Sequence, residues 1–361
     1  MRVVYFGTYE RGYPRNTQVI SCLRRAGVEV VERHEGVWES SRHKWTAGGG
    51  SALRLLRAEL RLALRGRPRD ADAVIVGYPG QLDMPLARLL SSSGRGHTPL
   101  VFNPLVSLTE TLVDDRRRFG AGSPPALALR ALDRLALRCA DLVVADTEQN
   151  ADFFAELGGI GRERVDVCFV GAEERVFQPV WQPHAPFHAL FVGKLIPLHG
   201  LPTILAAATL APEVRFRIVG SGQLEALLRD GPPNVDWIRW VEYEHLPEEL
   251  ACAGCALGIF GAGSKARRVI PNKAFQALAC GVPLVTADTP AARELLVDGE
   301  SALLVPPEDP SALAAAIRRV SADSSLARQL AAGGRAAYEA HASEVVLGRR
   351  WRSLLEQLMR P

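Results

Sequence analysis

A chain of 361 residues, 47% of them hydrophobic, is long enough for two ordinary domains, each with its own core. The 43 basic and 40 acidic residues are interspersed and leave a net charge of only +3, which excludes a general nucleic-acid surface and makes any anion site local. The chain opens directly on the strand-like run Val3-Val4-Tyr5-Phe6, with no signal-like leader and no apolar run long enough to span a bilayer, so a cytoplasmic placement is expected.

The first half alternates short apolar runs with helical periodicity. Strands are expected at 3–6, 28–31, 73–76, 100–102, 142–145 and 165–170. Helices are expected from about Asn16, from Ser51, and over 126–139 and 148–157. Strand and helix in turn predict a parallel sheet covered on both faces. Three prolines within 179–186 then break the rhythm and read as an interdomain linker. The alternation resumes with strands at 189–192, 215–219, 235–238, 256–260, 284–286 and 302–305. Helices are expected over 201–210, near 224–228, over 246–252 and 272–279, near 291–296, and from Pro310. The expected architecture is two doubly wound α/β lobes, 1–180 and 187–340, facing each other across a cleft. The final stretch, 341–361, is an amphipathic helix expected to pack back on the first lobe. Ligands of such sheets lie beyond the carboxyl ends of the strands.

The six cysteines sit mostly in apolar segments, as reduced thiols do. Cys252 and Cys255 alone have ligand-like spacing, and no second pair completes a zinc set.

On physical grounds the strongest chemical element runs from Arg267 to Gly281. Pro271 stands near a helix start and Gly281 just past its end. Such a start presents unpaired N–H groups and a positive dipole end, where a phosphate fits, and Lys273 adds a charge. Asn272 and Gln276 share a helical face with Lys273. A capped surface helix with a solvated lysine fits the same residues. A second element, Phe191-Val192-Gly193-Lys194, ends an apolar strand and leads through a proline turn to His199 and Gly200; Lys194 suits a diphosphate. A third is Val219-Gly220-Ser221-Gly222, a turn that purely steric needs also produce.

The ordered succession of 170–179, the Gly193-Lys194 strand end, 217–222, Pro271-Asn272-Lys273, 279–286 and 302–307 resembles the retaining glycosyltransferases of family 4 over nearly the whole chain. The resemblance implies the GT-B architecture of two facing Rossmann-like lobes. It also implies a nucleotide-diphosphate sugar held by the second lobe and a hydroxyl-bearing acceptor on the first. Lys194 and Lys273 would hold the diphosphate and act in catalysis, with Gly193, Gly220, Gly222, Pro271 and Asn272 lining the donor. The family usually has a second lysine where this chain has His199. Its paired glutamates fall at Arg268 and Gln276, both replaced; Gln276 can still bond a ribose hydroxyl, and Arg268 can meet phosphate. A histidine common in the first lobe is missing, and Asn103 lies closest to its place, as a third catalytic candidate. In the first loop Gly12 is expected beside the donor phosphates and Arg15 on the acceptor side. No cofactor or metal is implied. A nucleotide-sugar isomerase or epimerase, or a binding protein without turnover, is the alternative.

Over 51–67, Arg54, Arg57, Arg61 and Arg65 run beside Leu53, Leu56, Leu60 and Leu64. One cationic and one apolar face suit a peripheral helix on an anionic membrane. An ordinary lobe helix with its leucines in the core is the preferred expectation.

Overall fold

A computed structural model describes residues 1–37, 49–66, 70–92 and 97–360, the side chains at 49–52 excepted. The chain divides into two compact units, Met1–Val170 with Glu344–Pro361, and Gly171–Ser343.

The first unit carries six parallel strands: β1 (Arg2–Gly7), β2 (Glu29–His34), β3 (Ala73–Val76), β4 (Leu100–Phe102), β5 (Leu142–Ala145) and β6 (Val165–Val167). They lie in the order β2-β1-β3-β4-β5-β6. The reversal at β1 is that of a doubly wound sheet, and it places helices on both faces. On one face lie α2 (Gly49–Leu64), α3 (Asp83–Ser92), α4 (Pro124–Cys139) and α5 (Glu148–Gly158). Leu62, Met84, Leu137 and Phe154 bury there against Val4, Phe6 and Phe102. On the other, α1 (Pro14–Arg25) and the C-terminal helix Glu344–Leu358 bury Val19, Leu23, Trp351 and Leu355 on Tyr5 and Ile75. Each such side chain contributes about 2 kcal/mol. The helix starts follow local chemistry: Pro14 opens α1, and the Thr147 hydroxyl caps α5 by accepting from the Asn150 N–H. Gly348 lets the C-terminal helix approach α1 closely, since a Cβ there would lie 2.5 Å from the Cys22 carbonyl oxygen.

One buried arginine braces this side of the sheet. Arg15 Nε donates to Asn103 Oδ1 at 2.9 Å, and Nη1 donates to the carbonyls of Cys168 and Phe169 at 3.0 and 2.8 Å. The guanidinium also lies 5.9 Å from the Trp351 ring centroid. It therefore ties together the ends of β4 and β6 and the C-terminal helix.

The second unit repeats the plan with β7 (His188–Val192), β8 (Arg215–Val219), β9 (Val235–Ile238), β10 (Cys255–Leu257), β11 (Leu284–Ala287) and β12 (Leu303–Val305), all parallel, in the order β12-β11-β10-β7-β8-β9. Its helices are α6 (Leu201–Leu210), α7 (Leu246–Cys252), α8 (Asn272–Cys280), α9 (Pro310–Ala322) and α10 (Ser324–His341). The helices expected near 224–228 and 291–296 are single 3-10 turns, Glu225–Leu228 and Ala292–Glu294. The first is stopped by Gly231-Pro232-Pro233, which leaves no room for an α-helical run.

The proline-rich stretch at 179–186 does not divide the units; it lies wholly within the second. The Val180 N–H donates to Cys280 O, the Gln182 N–H to Ala251 O and the Trp181 indole to Ala253 O. Proline punctuates the chain here, but these backbone bonds strap the segment to its own unit.

The α2 leucines are a correction to the expected core packing. Leu53, Leu56 and Leu60 are each more than half exposed and Leu64 is 87% exposed. The buried face of α2 carries Ala58 and Leu62 instead. Arg67, the expected end of that helix, lies outside the described residues, as does Pro361 at the end of the 341–361 stretch. No helix among the described residues is long and apolar enough to cross a membrane.

Replacing Arg15 by Met leaves Asn103 Oδ1 and two buried carbonyls without their donors. Urea denaturation is expected to show a loss of about 3 kcal/mol or more; an unchanged midpoint would mean that the brace carries no weight.

Candidate functional site

The chemistry-bearing residues of the second unit gather at the carboxyl ends of β7 and β8 and the start of α8. Two glycine loops make this possible. Gly193 and Gly220 have φ of +148° and +146°, and a Cβ on Gly220 would fall 1.9 Å from the Gly193 carbonyl oxygen. The loops are laced by Gly193 N–H to Val219 O at 2.9 Å and Leu195 N–H to Ser221 O at 3.0 Å. Gly220 and Gly222 thus serve the approach of one loop to the other, since a Cβ on Gly222 would meet Leu195 at 2.8 Å.

Against this double loop lies Lys273, on the first turn of α8. Its Nζ sits 3.6 Å from the Phe191 ring centroid. A Cβ on Gly193 would approach it to 2.8 Å, so the glycine is also what admits the amine. Nζ is buried and has no hydrogen-bond partner among the described residues. Burial holds its pKa well below the usual lysine value. Lys273 and Gln276 also line a cavity of about 10 Å³ with Leu190, Val192, Leu246 and Leu257. An amine so placed costs stability unless an anion answers it.

His199 meets Phe191 edge-on, ring centroids 5.7 Å apart, and also comes close to Gly193. Its Nδ1 bonds the Lys194 carbonyl, and because a carbonyl only accepts, Nδ1 carries the hydrogen. Burial, and then the Lys273 charge, push the imidazole well below its ordinary pKa, so it is neutral here. The second positive charge expected in this loop is therefore not carried by His199 in the unliganded chain. Lys194 itself is exposed.

Helix α8 begins at Pro271 without a side-chain cap and ends on Gly281 in the left-handed region. Asn272 and Pro271 are half-buried at its open N-terminus, and Gln276 is buried one turn on. Gln276 hydrogen-bonds the Tyr243 side chain, whose hydroxyl burial pushes up. Tyr243 in turn meets Phe177 edge-on at 5.4 Å. Arg268 is half-buried in the turn ahead of α8, where its N–H donates to Lys265 O. Neither Phe191 nor Tyr243 carries a local sequence signal as a site residue. Phe191 stood inside the Gly193-Lys194 element but read only as a strand residue, and Tyr243 is distant in sequence from both its partners.

The residues expected of the first unit fall differently. Gly12 is exposed with open space around it. Arg15 and Asn103 are both fully buried and bonded to each other. Arg15 Nε and Nη1 are engaged inside the fold, while its Nη2 and the Asn103 Nδ2 are buried without a hydrogen-bond partner among the described residues.

Residues 1–171 match the glycosyl transferase 4-like domain family and residues 186–323 the glycosyl transferases group 1 family. The D-inositol 3-phosphate glycosyltransferase of Thermomonospora curvata is 27% identical over 241 residues, covering 58% of this chain and 56% of that protein. The enzyme of the same name from Mycolicibacterium smegmatis is 28% identical over 225 residues, covering 57% and 51%. The chain thus spans about half the length of these curated relatives. Among solved structures, sucrose-phosphate synthase from Thermosynechococcus elongatus is similar in fold, with a TM-score of 0.75 at 16% identity, covering 99% of this chain and 98% of that one. Anabaena HepE in complex with UDP-glucose has a TM-score of 0.71 at 16% identity, covering 99% and 100%.

The Lys273 amine yields a stability test that needs no ligand. Because its folded pKa is depressed, the unfolded chain binds the proton more readily, and stability rises with pH up to the ordinary lysine value of 10.5. Lys273→Met should raise the unfolding free energy at neutral pH by about 1 kcal/mol and flatten that alkaline rise. A lower Tm for the variant would show that the amine has a stabilising partner.

Proposed function

Because the chain belongs to the family 4 glycosyltransferases, we propose that it moves a hexose-type sugar from a nucleotide-diphosphate donor to a hydroxyl acceptor with retention of configuration. The observation that carries this reading is the buried Lys273 amine, set against a glycine strand end beside an uncapped helix start. A diphosphate satisfies all three: it gives the amine a counter-charge, approaches the backbone at Gly193, and accepts from the first N–H groups of α8. Exposed Lys194, on the same strand end, adds charge as the diphosphate departs. Gln276, bonded to Tyr243, is the candidate for the donor's ribose.

In the proposed reaction the bond from the anomeric carbon to the donor phosphate oxygen breaks. The acceptor oxygen bonds to the same face, and the acceptor proton passes to the departing phosphate. The protein's share is positioning and charge stabilisation. This reading puts the donor on the second unit and the acceptor on the first. The acceptor is a glycan, a lipid-linked saccharide or a natural product. D-Inositol 3-phosphate, named for the relatives, belongs in the first acceptor panel. The proposed setting is the cytoplasm, with peripheral membrane contact through α2.

Calorimetry with UDP-, GDP-, dTDP- and ADP-sugars tests the donor assignment. One nucleotide should bind, and Lys273→Ala should weaken it by roughly 2 kcal/mol, about thirtyfold. Equal affinity in the variant would remove the diphosphate from this place. Product formed without any acceptor would instead indicate an isomerase or epimerase.

Binding should also take up protons. Lys273 and His199 both have depressed pKa values in the free protein, and an adjacent phosphate raises both. The bound state then holds more protons, so affinity strengthens as pH falls. Titrations in buffers of different ionisation enthalpy measure the uptake directly; proton release on binding would contradict it.

A further inference from the structure

Helix α1 has a face that the core does not account for. Val19, Cys22 and Leu23 bury on the sheet. Thr17, Ile20, Ser21, Arg24 and Arg25 recur at three- and four-residue steps and so share another face. With Arg11 of the first loop and Glu32 of the edge strand β2 they line a cleft of about 420 Å³. Small-molecule sites run from roughly 300 to 1,000 Å³, so the cleft has room for a ligand. All of its lining belongs to the first unit, whereas the candidate donor residues belong to the second.

The cleft is built around one carboxylate. Glu32 Oε2 accepts from the Tyr9 hydroxyl at 2.9 Å and from Arg11 Nε at 3.0 Å, and Oε1 accepts from Arg24 Nη2 at 3.1 Å. Burial works against the Glu32 charge, but the Tyr9 hydroxyl, and then Arg11 and Arg24, hold its carboxyl below the ordinary range. The Thr17 hydroxyl lies 3.2 Å from the Arg11 carbonyl and donates to it, which ties the loop bearing Arg11 to the start of α1. Arg25 Nη1 donates to Glu344 Oε2 at 3.0 Å, on the C-terminal helix. The three guanidinium groups are thus anchored, yet each stays about half exposed. A guanidinium carries five N–H donors, so an anchored one keeps others for a ligand. In the lining three positive charges face one carboxylate; Glu344, outside it, answers Arg25 and still leaves a positive excess. Exposed ion pairs add little stability, so stability alone does not account for three arginines gathered around one cleft.

We infer that this cleft binds a small phosphate ester, its phosphate held by Arg11, Arg24 and Arg25. Three forks that reach in from separate backbone positions call for at least three acceptor oxygens. A phosphate supplies them and a carboxylate has only two. Glu32 is a positioning residue: both of its oxygens are already bonded, and they fix the forks of Arg11 and Arg24. Ile20 and Ser21, which precede the two arginines by one turn of α1, meet the organic part of the ester. The inference gives the first unit a ligand of its own and does not depend on the donor reading of the second.

Calorimetric titration of the full chain with glycerol phosphate, against glycerol and against sodium chloride at matched ionic strength, tests it. The ester should bind saturably and the two controls should not. Arg11→Ala and Arg24→Ala should each weaken binding roughly tenfold. Arg24→Lys should fall between, since it keeps the charge and loses the fork. Arg318→Ala, an exposed arginine of the second unit paired with Glu213, should leave the affinity unchanged. Arg11 and Arg24 are both about half exposed, and circular dichroism checks that the variants fold. Absence of saturable binding at millimolar ester, or undiminished affinity in Arg11→Ala and Arg24→Ala, overturns the inference. So does binding that Lys273→Ala abolishes while the Arg11 and Arg24 variants keep it, which would put the anion on the second unit.

Discussion

A buried amine without a hydrogen-bond partner among the described residues is the constraint around which the second unit is arranged. Lys273 lies 3.6 Å from the Phe191 ring centroid, and that position exists only because Gly193 has no side chain. Gly193 in turn presses its carbonyl against Gly220. The strand ends, the glycine loops and the start of α8 form one construction, and its product is an electrostatic demand that the protein itself leaves unmet. Such a demand lowers the stability of the empty fold and raises the return on binding an anion.

The first unit holds its buried cation differently. Arg15 is fully buried, and its Nε and Nη1 donate to Asn103 and two backbone carbonyls, leaving only Nη2 without a partner among the described residues. A guanidinium presents five donors in a fixed fork and keeps its charge when buried, so it suits a brace; an amine that releases its proton readily suits a site that must wait for a ligand. The two residue types thus separate structural from binding duties, although both are cations near strand ends.

Two positions where the family resemblance implies charged residues fit the same arrangement. Gln276, where the resemblance implies a glutamate, is buried and engaged with Tyr243. A neutral amide there adds no second buried charge beside Lys273. His199, where the resemblance implies a lysine, is neutral because it is buried and, second, because Lys273 stands close by. The site thus keeps its resting charge low, and on the proposed reading its charge is restored by the ligand.

The alternation of apolar strands with helical stretches determined by itself the two parallel sheets, because a strand buried on both faces must be apolar throughout and each crossover needs a helix. Local punctuation likewise marked α8, where Pro271 and Gly281 satisfy start and stop requirements that act within a few residues. Tertiary structure decided whatever depends on distant partners. The break read at 179–186 became a strap, because Cys280, Ala251 and Ala253 lie within reach of its backbone and indole donors. Arg15 became a brace because the carbonyls of Cys168 and Phe169 close over it, more than 150 residues away in sequence. The α2 leucines turned outward because Ala58 and Leu62 suffice to cover the sheet there. Periodicity reports that a helix has an apolar side, but which side the core occupies is settled by what the rest of the chain has already filled.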